Sequence, residues 1–393
     1  MWGDDMPEYK INKYVSVYKR AIELYNEGSF KEAANFLDLV VKNDESNYNA
    51  AYYLGNLYYN GHGVNKDLKR AFDLYMKAAT RRVTEAEYMV GLCYLKGEGV
   101  KQELFQAVAW FTEAAKYAHP LSQYYLGVAY MNGEGITKDV PRAAQWLVHA
   151  ANQGIVEAQR DAGKCYEILG NFHGAATLFL AGAKNGDAES QFRLSGYYSE
   201  GKGITQSTPL AVFYLEESAK QNYAPAQVAL GRRYDMGNGV AKDPRHALEL
   251  YQTAAKAGNP EAENALAESY HSGEGIIHDN TLAVQWWTKA AEDGNIDAMI
   301  HLAEILTDPS DKTVMVDLVT AKSWWTKAAE AGDAYAMFRL GDCLENGIGV
   351  SNVNLDDAFK WYRLAAQNGY KDAEEACARF SKSFTGKVKL KKV

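Results

Sequence analysis

The chain has 393 residues, 47% of them apolar and 23% charged, a balance that folds rather than staying disordered. A net charge of −8 and a pI near 5.6 argue against a general nucleic-acid surface. Cys93, Cys165, Cys343 and Cys377 form neither a C-x-x-C pair nor a recurring ladder, which fits a reducing, cytoplasmic compartment. The start, Met1-Trp2-Gly3-Asp4-Asp5, has no apolar signal region, and no run reaches the length of a membrane span.

Length alone would suggest two or three domains, but a repeat overrides that expectation. Residues 1–13 read as a polar lead-in. The first unit, 14–47, carries Ala21, Leu24, Gly28, Phe30, Ala33, Leu37 and Val40, two amphipathic helices around a tight Glu-Gly-Ser turn. From Gly55 a reference residue recurs at Gly91, Gly127 and Gly163, each step 36 residues. Ser195 follows after 32, then Gly231, Ala267 and Ala303 after 36 each, then Gly341 after 38. The short step belongs to a unit at 157–187 that turns tightly at Leu169-Gly170-Asn171. The long step belongs to a unit at 296–332 with the irregular loop DPSDKTVMVD. Nine units therefore fill 48–370. A capping helix is expected at 371–382 and a basic flexible tail at 383–393.

Within a unit, Ala50, Leu54 and Tyr58 share one face of a first helix. Gly61-His62-Gly63-Val64 breaks it, with Val64 turned inward as a plug. Ala71, Tyr75, Ala78 and Ala79 share one face of a second helix. Aromatic pairs such as Trp110-Phe111, Trp286-Trp287 and Trp324-Trp325 fill the space between units, and burial is expected of Trp286. Gly258, Gly294, Gly332 and Gly369 read as helix stops.

The unit at 14–47 resembles a tetratricopeptide repeat. The pattern A-x3-L-G-x2-Y-x2-G-x-G-V, then Ala, an aromatic pair and Ala-Ala-x2-Gly, resembles the Sel1-like repeat over Ala50 to Gly369. That resemblance implies an all-α, right-handed superhelical solenoid of antiparallel helix pairs. It also implies a non-enzymatic scaffold or adaptor for other proteins.

No catalytic, metal or cofactor site is expected. The Gly-x-Gly-Val loops lack the Walker Lys-Ser/Thr and follow helices rather than strands, so they read as structural turns. His301 and Glu304 share a helix face, but no His-Glu-x-x-His motif is present. An enzyme with an unrecognised site and a self-associating structural protein are the alternatives. The oligomeric state is left open.

What remains is surface, and arrays of helix pairs bind along their first helices. By similarity to tetratricopeptide grooves, the concave face takes Tyr52, Asn56, Tyr59, Tyr88, Leu92, Tyr124 and Met131, then Arg160, Lys164, Arg193 and Arg232, then Glu268, Glu304 and Asp342. The groove is expected to run aromatic, then basic, then acidic, and to hold a protein or peptide partner. Reversing Arg160, Lys164 and Arg232 to Glu is expected to weaken binding with helicity unchanged. The tail Lys387-Val388-Lys389-Leu390-Lys391-Lys392-Val393 is the one basic run, expected to be solvated, with weak membrane-surface contact as the alternative.

Overall fold

The computed structural model describes residues 7–382 and 388–390. The chain falls into two compact units, Met1–Gln206 and Ser207–Val393. Both are built the same way, from antiparallel helix pairs of an all-α solenoid.

In the N-terminal unit the pairs are Pro7–Asn26 with Phe30–Asn43, Tyr48–Asn60 with Leu68–Ala79, Thr84–Lys96 with Leu104–Lys116, Pro120–Asn132 with Val140–Asn152, and Val156–Ile168 with Phe172–Lys184. Ala188–Glu200 follows. The first helix starts at Pro7, inside the segment expected as a lead-in. The C-terminal unit begins with Thr208–Lys220. It pairs Ala224–Met236 with Pro244–Lys256, Pro260–Ser272 with Asn280–Glu292, Ile296–Ile305 with Leu318–Glu330, and Ala334–Asn346 with Leu355–Gln367.

Local chemistry sets the ends of these helices. Most first helices stop at glycines in the left-handed region, as at Gly61 with φ of 73°, whereas Val156–Ile168 and Ile296–Ile305 end at Leu169 and Leu306. Second helices start at caps such as Asp67, Asp139, Asp243 and Asp279, whose side chains accept from the backbone N–H three residues on. The second glycine of each loop meets the preceding helix pair. A Cβ on Gly275 would lie 2.6 Å from the Pro244 carbonyl oxygen, so backbone packing demands glycine there. Val64 packs inward against its unit, as expected of the plug.

The reference residue is small for a similar reason. The second member of each aromatic pair lies against it: a Cβ on Gly91 would sit 2.6 Å from Phe111, and one on Gly341 would sit 2.7 Å from Tyr362. Thus Trp287, 2% exposed, is the buried member of its pair, and Trp286 is only half-buried. The expectation of a buried Trp286 was one residue out of register.

A polar ladder crosses these cores four residues before the reference position. Gln123, Gln191 and Gln227 are buried there, and each Nε2 donates to the carbonyl of Ala115, Ala183 or Ala219 at the end of the preceding helix, over 3.3, 3.2 and 3.4 Å. Glu87 and Glu263 occupy two rungs of the same ladder.

After the helix Lys371–Ala378, Phe380–Lys382 pairs antiparallel with Val388–Leu390. The expected capping helix is therefore shorter. Residues 388–390 of the expected flexible tail form a strand, and its remaining residues lie outside those described.

Candidate functional site

Successive first helices leave a notch between them, and one register of residues builds it each time. The notch takes the residue four after the reference position and one near the start of the second helix. The buried ring twenty or so residues on makes its floor. From the next repeat come the residues two before and one after the reference position. In the N-terminal unit these are Leu95, Leu104, Phe111, Tyr125 and Val128, around a cavity of about 140 Å³. In the C-terminal unit His271, Asn280, Trp287, His301 and Glu304 line a cavity of about 370 Å³. Thr307, Leu318, Trp325, Arg339 and Asp342 line the equivalent cavity of about 420 Å³ one repeat on. The frame repeats while the wall chemistry passes from apolar to charged.

Tyrosine floors satisfy their own hydroxyls. Tyr75 donates to Asn56 at 2.8 Å, Tyr251 to Asp235 at 2.6 Å, and Tyr362 to Asp342 at 2.6 Å. The tryptophan floors differ: the buried indole N–H groups of Trp287 and Trp325 have no hydrogen-bond partner among the described residues.

The residues expected on the groove distribute unevenly over this frame. Tyr59 donates to Glu98 across 2.5 Å, so its hydroxyl ties neighbouring repeats together. The Tyr52 ring lies 6.2 Å from that of Tyr75, and Tyr88 lies 4.7 Å from His119. Tyr124 reaches Asp161 at 3.4 Å, and Met131 is half-buried. Leu92 is buried against the Phe111 cluster and offers little surface. Glu304 and Asp342 stand on notch walls, and Arg232 and Glu268 are exposed on their first helices.

The basic centre is not a free basic patch. Arg160 pairs with Asp161 at 3.0 Å and Asp187 at 3.2 Å, Lys164 with Glu189 at 2.9 Å, and Arg193 with Glu167 at 2.7 Å and Glu189 at 3.0 Å. Burial opposes charge on Arg160, yet Asp161, Asp187 and Glu189 hold its pKa up. Burial likewise works against the Glu189 carboxylate, and Lys164 and Arg193 keep its pKa down. Arg160, Lys164 and Arg193 were expected on the groove. Their carboxylate partners come from the same helix or from a neighbouring first helix and its cap, a pairing that needs the stacking of repeats to be known.

A second charged knot lies in the C-terminal unit. His301 sits 3.4 Å from Glu268 and 3.9 Å from Glu304. Hydrogen bonds donated by its ring to these two carboxylates, against burial, push its pKa up to about 9. His301, Arg339 and Tyr125 all stand two before a reference position. This is a variable column in the repeat, of which only Arg193 was expected on the groove.

The fold and its repeated notch define an α-solenoid of antiparallel helix pairs. The chain belongs to the Sel1 repeat family: the family model matches residues 49–82, 84–116, 120–155, 188–223, 224–259, 260–295, 296–333 and 334–370. The units at 14–47 and 157–187, read as tetratricopeptide-like, fall outside those matches. Among solved structures, the chain is similar to a protective antigen present in uropathogenic Escherichia coli strains displaying an SLR fold. Identity is 31% with a TM-score of 0.75, covering 94% of this chain and 81% of that one. It is also similar to a Sel1 repeat protein from Oxalobacter formigenes, at 30% identity and a TM-score of 0.52, over 61% of this chain and 96% of that one. No curated protein matches the chain. No helix among the described residues is long and apolar enough to cross a membrane.

Proposed function

We propose that this protein is a non-enzymatic scaffold that holds a partner protein, or an extended segment of one, along the first-helix face of its repeats. Sel1 and tetratricopeptide-like repeats generally serve as interaction scaffolds, which supports the class of function. The observation that carries the reading is the conserved notch frame with changing walls. Leu95, Tyr125 and Val128 would take an apolar side chain, whereas His271, His301 and Glu304 would take a polar one. A surface that served only packing would have no reason to vary its chemistry within a constant geometry. Specificity arises from such differences between neighbouring subsites.

Site-specific photo-crosslinking in the native cell tests this reading. Benzoylphenylalanine at Tyr59, Leu95 or Asp342 is expected to give a discrete protein adduct. The same group at Lys69 or Lys116, which are exposed on second helices, is expected to give none. Adducts confined to the second-helix positions would end the proposal.

A further inference from the structure

The loop edge of the C-terminal unit departs from the rest of the repeat in a way that packing does not explain. Two residues after the second loop glycine stand Asn65, Lys101, Thr137, Thr205 and Ala241 in the earlier repeats, small or polar residues suited to solvent. In the repeat at 260–295 the residue is Ile277, 87% exposed. In the next repeat the irregular loop turns Val314 inward and leaves Met315 86% exposed, with Val316, Leu318 and Val319 also exposed. An Asn280 amide donating to Asp311 joins the two loop regions. Large apolar side chains gathered in solvent on neighbouring loops mark an interaction surface.

Beside these apolar residues opens the cavity lined by Glu304, Asp308, Asp311, Trp287 and His271. Its acids are fixed as anions. Asp308 accepts from Ser310 N–H at 2.8 Å, and Asp311 accepts from Thr313 N–H at 2.7 Å. Hydrogen bonds from the same Ser310 and Thr313 hold both carboxyls below the usual range. His301 on the lining is already engaged by Glu268 and Glu304. The cavity therefore carries net negative charge over an aromatic wall. An arginine or lysine head fits the carboxylates, and its stem fits the indole and imidazole rings.

We infer that the loop edge around Ile277 and Met315 extends the notch between His271 and Glu304 into a docking surface of its own chemistry. Its partner is a protein segment that seats a basic side chain in the Glu304–Asp308–Asp311 cavity and lays flanking apolar side chains on Ile277, Met315 and Val319. The assignment rests on charge complementarity and on the first-helix reading at this one notch, and it does not need the notches of the earlier repeats to be occupied.

Fluorescence anisotropy with labelled peptides tests it on the full chain. Peptides of alternating leucine and arginine, leucine and glutamate, and serine and arginine are compared. The leucine–arginine peptide is expected to bind at least tenfold tighter than the other two. Replacing both Ile277 and Met315 by Ser is expected to weaken it about tenfold or more, as loss of apolar contact implies, with an unchanged melting temperature. Asp308→Asn is expected to weaken it and flatten its salt dependence. A first-helix change, Tyr88→Ser, is expected to leave it untouched. Sensitivity to Tyr88→Ser alone would instead assign the peptide to the notches of the earlier repeats. Equal binding of the leucine–glutamate peptide, indifference to the Ile277/Met315 change, or no binding at all would overturn the inference. A peptide of residues 383–393 is run alongside. If it binds tightest and full-length protein sediments as a dimer, the occupant is a second copy and the foreign partner is ruled out.

Discussion

The His301 imidazole lies stacked on the Trp287 indole, ring centroids 5.1 Å apart and planes 27° from parallel. Glu268, on the preceding first helix, and Glu304, one turn along its own, flank the ring on its nitrogen side. One side chain thus couples the core floor of one repeat to two carboxylates on its surface.

This coupling makes stability depend on alkaline pH. The folded pKa of His301 is raised to about 9 from 6.5, so its contribution is complete below about 6.5. It declines as pH rises and is lost once pH passes the folded value. Thermal melts from neutral to mildly alkaline pH should therefore show the native chain losing more stability than His301→Gln. Parallel curves for the two proteins would show that the charge contributes nothing.

Glu87 occupies a rung where Gln123, Gln191 and Gln227 donate an amide hydrogen to a helix-end carbonyl. An ionised carboxylate cannot donate, and its Oε2 is buried without a partner. Burial and the nearby Glu113 raise the Glu87 pKa. Glu87→Gln is expected to stabilise the fold by about 1 kcal/mol, the net worth of one hydrogen bond. The sign of the pH effect is the same as for His301, in a more acidic window. Protonation is favoured in the folded state, so the native chain regains stability as pH falls through the raised carboxyl pKa, and the variant does not. Urea melts at mildly acidic and neutral pH would read both effects.

The ion network around Arg160 changes what a charge reversal does. Arg160→Glu would face Asp161, Asp187 and Glu189 with a fourth carboxylate in a site where the Arg160 side chain is 22% exposed. Removing one partner of a fully buried pair costs roughly 3–5 kcal/mol, and the partial exposure here brings the expected loss to about 2 kcal/mol. A fall in melting temperature, rather than unchanged helicity, is the outcome expected. Reversal of the exposed Arg232 should be thermally silent.

Ala118 holds φ of 60°, where the equivalent residue in later repeats is Gly154, Gly186, Gly258, Gly294 or Gly332 and, in one, Asn222. The left-handed conformation costs a non-glycine residue roughly 1–2 kcal/mol, partly offset by the greater unfolded-chain freedom of glycine. Ala118→Gly is expected to stabilise by about 0.5 kcal/mol or more in denaturant melts. A loss would mean that the turn has relaxed around alanine.

Much of the fold is legible because backbone geometry writes itself into composition. Gly61 and Gly63 mark a helix end and a close approach, and the spacing of Gly55, Gly91 and Gly127 counts the repeats. The buried ring was misplaced by one residue at Trp286 because two adjacent tryptophans give the same local signal. Only the contact with Ala267 and its equivalents decides between them. The charge of the groove was legible only in part. Arg160 and Lys164 announce themselves, but Asp187 and Glu189 sit a repeat away, and neutralisation depends on which helices stack. The terminal strand pairing of Phe380–Lys382 with Val388–Leu390 was hidden for a related reason. Two three-residue segments carry too little pattern to show until the helix they lean on is placed.

That terminal hairpin also fixes where the structure stops. Phe380 is 5% exposed, with its ring 5.5 Å from Phe359 and 5.9 Å from Tyr362, and Asp356 accepts from the Val388 N–H at 3.2 Å. A stack of like hairpins otherwise offers its last member as a template for another, including one from a neighbouring molecule. Phe380 covers the apolar flank of the last described helix pair, so that face is not presented to a further helix.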